Sequence, residues 1–138
     1  MYSNYLSYLL YNENKKIFLI QSNYKWGDKW IVPGGTIEEN ETPEIAFERE
    51  IKEELGTNVT NIVKIDEKTK EPSKDFFDNN TKFHFFDFIA KAETTKITPN
   101  YEITNYMWIE PNKALKELNL LDSTRNLIEK YLEIIYNP

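Results

Sequence analysis

Residues 42–56, TPEIAFEREIKEELG, constrain this chain more than any other stretch. Thr42 is a good N-cap, Pro43 has the fixed φ and missing N–H that suit a first helical position, and Gly56 suits the left-handed residue just past a helix end. The spacing predicts a helix over about Pro43 to Leu55. At roughly 100° per residue, Phe47, Ile51 and Leu55 form its apolar stripe, while Glu50, Glu53 and Glu54, with Ala46, fall within an adjoining arc of about 100°. The acids therefore sit at the rim of the core rather than opposite it. Like charges three and four residues apart repel, and carboxylates in the last turns also face the negative end of the helix dipole. Such a helix needs something positive beside it.

A helix with one apolar stripe must pack on another layer, and the rest of the chain supplies strands for it. Runs rich in aromatic and branched residues at Tyr5–Tyr11, Lys16–Ile20, Val59–Ile65, Phe83–Ala90 and Ile103–Ile109 read as strands, with a shorter one at Trp30–Val32. Asn12-Glu13-Asn14 reads as the hairpin turn between the first two. Pro111–Leu118 and Ser123–Tyr136 carry helical spacing, the latter through Leu127, Ile128, Tyr131, Leu132 and Ile135. Strands and helices do not alternate regularly, which favours an α+β chain with a central mixed β-sheet and helices on its faces over a doubly wound fold. At 138 residues the expectation is one domain, 1–138, whose core needs no staples.

Composition removes several function classes. The absence of cysteine excludes disulfides, thiol nucleophiles, zinc ribbons and iron–sulfur centres. The N-terminal MYSNYLSYLLYNENKK lacks the features of a signal peptide and no apolar run is long enough to span a bilayer, so a soluble, cytoplasmic protein without a membrane partner is expected. A net charge of −6 argues against a broad face for a nucleic-acid polymer and leaves room for a small charged ligand held through metal.

The segment before the helix bears on that ligand. Pro33-Gly34-Gly35 reads as a turn with two residues that tolerate positive φ and close backbone approach, and Glu41 stands just ahead of the cap. A glycine turn feeding an acid-faced helix suits a divalent cation, because Mg²⁺ takes oxygen ligands and is completed by water and substrate phosphates. The alternative is a merely solvated acidic face, its repulsion offset by Arg49 and Lys52. Residues 22–30, SNYKWGDKW, carry three aromatics and two lysines. Trp26, Trp30 and Lys29 are the candidates there for stacking on a base and meeting phosphates, unless the tryptophans tuck into the core. His84 lies in an aromatic strand with no visible partner and is read as structural.

Gly35, then five residues to Glu41, then seven to Arg49-Glu50-Ile51-Lys52-Glu53-Glu54-Leu55-Gly56-Thr57, resembles the Nudix box of the Nudix hydrolase superfamily. Every charged and glycine position of that 35–57 pattern is filled; the departure is Thr57, where the family usually has an aliphatic residue. Trp30–Gly34 and Tyr106–Ile109 extend a weaker likeness. The resemblance implies a Nudix-type α/β/α sandwich and Mg²⁺- or Mn²⁺-dependent cleavage of a nucleoside diphosphate linked to another group. Glu50, Glu53 and Glu54 would bind metal, one of them also activating water, and Gly35 would offer its carbonyl. Arg49 and Glu41 would brace the glutamates, Arg49 also standing as a substrate-binding candidate. A further acid from a later loop is implied: Glu102 foremost, with Glu93 and Asp87 as alternatives. The implied substrates are small nucleotides: a nucleoside triphosphate, oxidised dGTP or an ADP-ribose-like nucleotide sugar. Pro72, in the loop Lys70–Thr81 that also holds Phe76 and Phe77, hints at the last. Dimers are common in the family, which leaves a homodimer open, and some members are non-catalytic nucleotide sensors, the alternative function.

Overall fold

The computed structural model describes residues 2–22, 27–70, 82–94, 96–100 and 102–136. In chain order the elements are β1 (Tyr2–Tyr11), β2 (Ile17–Ser22), β3 (Gly34–Thr36), α1 (Pro43–Leu55), β4 (Val59–Lys70), β5 (Lys82–Ala92), β6 (Ile103–Ile109), α2 (Pro111–Glu117) and α3 (Asp122–Tyr136). The loop centred on Pro72, Phe76 and Phe77 lies outside the described residues, as does Trp26.

The strands form a mixed sheet in the order β4-β5-β1-β2-β6, with β1 parallel to β5 and the other pairs antiparallel. The hairpin turn forms where the sequence places it. Asn12 is buried, and its side-chain oxygen accepts from the N–H groups of Asn14 at 2.9 Å and Lys16 at 3.0 Å, an Asx device that replaces missing backbone partners. Period-two alternation then sorts the side chains. Leu6, Tyr8 and Leu10 of β1, Phe18 and Ile20 of β2, and Phe86, Phe88 and Ala90 of β5 join Phe47, Ile51 and Leu55 of α1. Leu9, Ile17, Leu19 and Ile89 point the other way, against Leu127, Ile128 and Tyr131 of α3 and Ala114 of α2. The result is a helix layer on each face of the sheet, the α/β/α sandwich. No helix of the described residues is long and apolar enough to cross a membrane.

One short strand differs from expectation. Trp30 and Ile31 make only isolated bridges, to Leu120 and Ile20, and the strand is Gly34–Thr36 instead, paired with β1 through Gly34–Ser7, Gly35–Leu6 and Thr36–Tyr5. Neither Gly34 nor Gly35 adopts positive φ. What requires glycine here is close approach: a Cβ on Gly34 would collide with the backbone oxygen of Leu6. Low strand propensity is overridden because the neighbouring backbone leaves no room for a side chain.

This pairing makes β1 change partners. Its end, at Tyr11, pairs with β2, whereas Tyr5–Ser7 pair with β3. Beside the Ile20–Ile31 bridge lies a cleft lined by residues of β1, β2 and β3.

Candidate active site

The cleft measures about 580 Å³ and collects Tyr5 of β1, Ile20 and Ser22 of β2, Ile31, Gly34–Thr36 of β3, Glu50, Glu53 and Glu54 of α1, Asn100 with Glu102, and Ile103 of β6. The helix that carries the three acids is built as its sequence dictates. The Thr42 hydroxyl accepts from the Ile45 N–H at 3.2 Å, Pro43 opens the first turn, and Gly56, at φ 61°, closes the last by donating to the Ile51 and Lys52 carbonyls. Because the apolar stripe packs on the sheet, the adjoining arc of Glu50 and Glu54 is drawn down with it. Both are buried, at 9% and 8% exposure, while the Glu53 side chain stays 60% exposed.

Arg49 answers the acids. Its Nε–H donates to Glu41 Oε2 at 2.7 Å; one terminal nitrogen donates to Glu50 Oε1 at 2.9 Å and Glu53 Oε2 at 3.2 Å, and the other to Glu41 Oε1 at 2.8 Å and the Thr36 carbonyl at 3.0 Å. These bonds employ the full fork of guanidinium donors. In this structure Arg49 serves as a brace, its donors taken up by Glu41, Glu50, Glu53 and the Thr36 carbonyl. The same fork holds the Glu41 carboxyl down to about 2, chiefly through its hydrogen bonds to Arg49. Glu41 Oε1 also accepts from the Glu38 N–H at 2.9 Å, which ties the loop to the helix.

Glu54 is in the opposite condition. Burial first, and the charge of Glu50 second, push its carboxyl up to about 8; the hydrogen bond from Tyr8 works the other way, and the Glu102 charge adds to the rise. The Tyr8 hydroxyl, fully buried, donates to Glu54 Oε1 at 3.0 Å. Glu50 is pressed from the other side, since a Cβ on Gly35 would lie 2.6 Å from each of its carboxylate oxygens. Glycine at 35 lets the strand backbone come against the acid.

Glu102 reaches the cleft through a loop docked on the end of α1. The Thr98 and Asn100 N–H groups donate to the Leu55 and Glu54 carbonyls, each at 2.9 Å, and the Asn100 side chain accepts from the Glu102 N–H at 3.0 Å. The unpaired carbonyls of a helix end thereby fix the loop that carries the fourth acid. Glu93 is exposed and lines a separate depression with Glu48 and Lys52, and Asp87 shares the strand parity of Ile89, on the α3 side of the sheet. Of the two places expected for Trp30 the structure shows the core: it packs with the α3-side cluster, and its backbone N–H donates to the Asn119 carbonyl at 2.8 Å. Lys29, half-buried, is not among the described residues that line the cleft. Sequence reasoning missed Tyr8, Asn100 and the Thr36 carbonyl; each is an ordinary strand or loop residue until the fold brings it to α1.

Among the described residues no trio of acids or histidines is already gathered into a cation cage. Glu50 and Glu53 are turned to Arg49 and Glu54 to Tyr8. The donor set nevertheless fits a hard divalent cation in kind, because it is all oxygen, is shared along one cleft wall, and includes a buried carboxyl whose charge is disfavoured without a cation.

A family model described as the NUDIX domain matches residues 3–131. The chain is 36% identical over 77 residues to an 8-oxo-dGTP diphosphatase of Proteus vulgaris, covering 54% of this chain and 65% of that protein. It is 41% identical over 54 residues to an RNA pyrophosphohydrolase of Gluconobacter oxydans (strain 621H), covering 39% and 32%. The matches thus span less than two thirds of the length of either relative. In fold the chain is similar to the NUDIX domain of Shewanella oneidensis NrtR, solved with ADP ribose, at a TM-score of 0.76 and 18% identity, covering 96% of this chain and 87% of the other.

Proposed function

The chain belongs to the Nudix family, and from that premise we propose that it is a divalent-metal-dependent nucleotide pyrophosphohydrolase, cleaving the diphosphate linkage of a nucleoside diphosphate joined to another group. The observation that carries this reading is the convergence of Glu50, Glu53, Glu54, Gly35 and Glu102 on one cleft. In it Glu50, Glu53 and Glu54, with the Gly35 carbonyl, would hold Mg²⁺ or Mn²⁺. Such an ion supplies charge neutralisation at phosphate oxygens and a more acidic water.

The chain's own residues do the rest. Arg49 orients Glu50 and Glu53 from outside the cleft, and its bonds to Glu41 and Thr36 keep it there. Glu102 lines the same cleft as the acids and accepts the proton of the attacking water, whose oxygen bonds to phosphorus as the bridging P–O bond breaks. Aliphatic Ile20, Ile31 and Ile103 form the apolar part of the wall, suited to a base or sugar face rather than to phosphate. The sequence relative that acts as an 8-oxo-dGTP diphosphatase supports oxidised dGTP as a substrate, the RNA pyrophosphohydrolase supports cleavage of a pyrophosphate bond, and the ADP-ribose complex of the fold relative keeps nucleotide sugars in the set.

The test is a hydrolysis screen of purified protein with Mg²⁺ and with Mn²⁺ against ADP-ribose, other nucleotide sugars, dinucleoside polyphosphates, ordinary triphosphates and oxidised dGTP, with products identified by mass spectrometry. A nucleoside mono- or diphosphate released from one class, and abolished in folded Glu53→Gln and Glu54→Gln, is the expected result. Uniform inactivity of folded protein would turn the reading to a nucleotide sensor.

A further inference from the structure

Tyr8 does something a core aromatic need not do. Its ring is fully buried and packs against Phe47 of α1, centroid to centroid 5.3 Å, so phenylalanine would fill the same space. The hydroxyl adds a polar atom at zero exposure, and burying a hydroxyl costs free energy unless it finds a partner. The partner is Glu54 Oε1 at 3.0 Å, 46 residues away in sequence and across the sheet–helix interface. With Phe47 against one side of its ring, Tyr8 has little freedom to swing away.

We propose that Tyr8 is a positioning residue for the cation site, holding Oε1 of Glu54 by a charge-assisted hydrogen bond so that its other oxygen is presented to the cleft in a fixed orientation. The inference rests on the reading of Glu50, Glu53 and Glu54 as cation ligands. Its physical content is that Glu54, buried like Glu50, receives no bond from Arg49, which serves Glu50 and Glu53. Each acid thus has its own orienting donor: Arg49 from the helix for two, Tyr8 from the sheet for the third. Groups behind a ligand that fix its orientation typically change metal affinity 10- to 100-fold when removed.

The experiment is direct binding of Mn²⁺, without nucleotide, to wild type, Tyr8→Phe, Glu54→Gln and the double variant by titration calorimetry, with thermal unfolding in chelator as the check on the fold. We expect Tyr8→Phe to remain folded and to bind Mn²⁺ about tenfold more weakly. In the Glu54→Gln background the same change should do nothing further, because its effect runs through that carboxylate. Equal Mn²⁺ affinity in wild type and Tyr8→Phe, or an equal loss in both backgrounds, overturns the proposal while leaving the cation site standing. Wild type that binds no Mn²⁺ overturns both. If Tyr8→Phe does not fold, Tyr8→Leu or Tyr8→Met in folded form, which likewise lack a donor, provide the same comparison, and wild-type affinity in either overturns it.

Discussion

Replacing Glu54 by glutamine should stabilise the metal-free protein at alkaline pH while destroying its activity. The Glu54 carboxyl, buried beside Glu50, is pushed up to about 8, so the folded state holds a proton that the unfolded chain has released above its ordinary value of 4.5. Whenever the folded state binds the extra proton, stability falls as pH rises. The penalty is absent below about 4.5, grows between 4.5 and 8, and is complete above that. At pH 8 it is on the order of 2–4 kcal/mol after allowance for relaxation of a coupled pair of acids. Glutamine stays neutral and can still accept from the Tyr8 hydroxyl. In a chain of this size about 1 kcal/mol moves Tm by roughly 3 °C, so the variant should melt about 6–12 °C above wild type at pH 8 in chelator. The two should converge near pH 5. The assay is calorimetric or circular-dichroism melting of both proteins from pH 5 to 8.5 in chelator, read as a difference so that groups common to both cancel. A variant that melts at or below wild type at pH 8, or a difference that does not grow with pH, would refute the reasoning.

Arg49→Lys should lower kcat about 10- to 100-fold, because one ammonium cannot reproduce bonds to Glu41, Glu50, Glu53 and Thr36 together; steady-state kinetics should show a smaller change in KM. Gly35→Ala should abolish most hydrolysis and cost about 1–3 kcal/mol in chemical denaturation, since the new Cβ runs into the Glu50 carboxyl. Thr42→Ala should cost about 1 kcal/mol in the same denaturation experiment and leave kcat unchanged, because the lost cap lies at the other end of the helix from Glu53 and Glu54.

The acid helix was legible because its determinants are local. Thr42, Pro43 and Gly56 act within one turn of the residues they cap, and the arc shared by Glu50, Glu53 and Glu54 follows from helical geometry alone. The strands were legible from their aromatic and branched runs, whereas the faces they present came with the sheet, where alternation at a period of two sends Leu6, Tyr8 and Leu10 one way and Leu9 the other. The strand at Gly34–Thr36 was not, because local propensity speaks against it and only the backbone of Leu6 and Ser7, nearly thirty residues earlier, makes glycine the residue that fits. Arg49 could be recognised as belonging with the acids, but that its fork is fully engaged depends on Thr36 and Glu41 arriving from another element. Trp30 carried an aromatic signal equally consistent with stacking on a ligand or filling a core, and packing against α3 chose the core.

The sequence by itself determined which side chains the proposed cation site can draw on: carboxylates in one arc of a capped helix, in a chain without a thiol. Only the tertiary structure decided which acids are buried, which donor orients each, and that Tyr8 and Glu102 stand with them. Charge and periodicity are properties of a segment, whereas desolvation and hydrogen-bond direction exist only once distant segments have closed around a side chain.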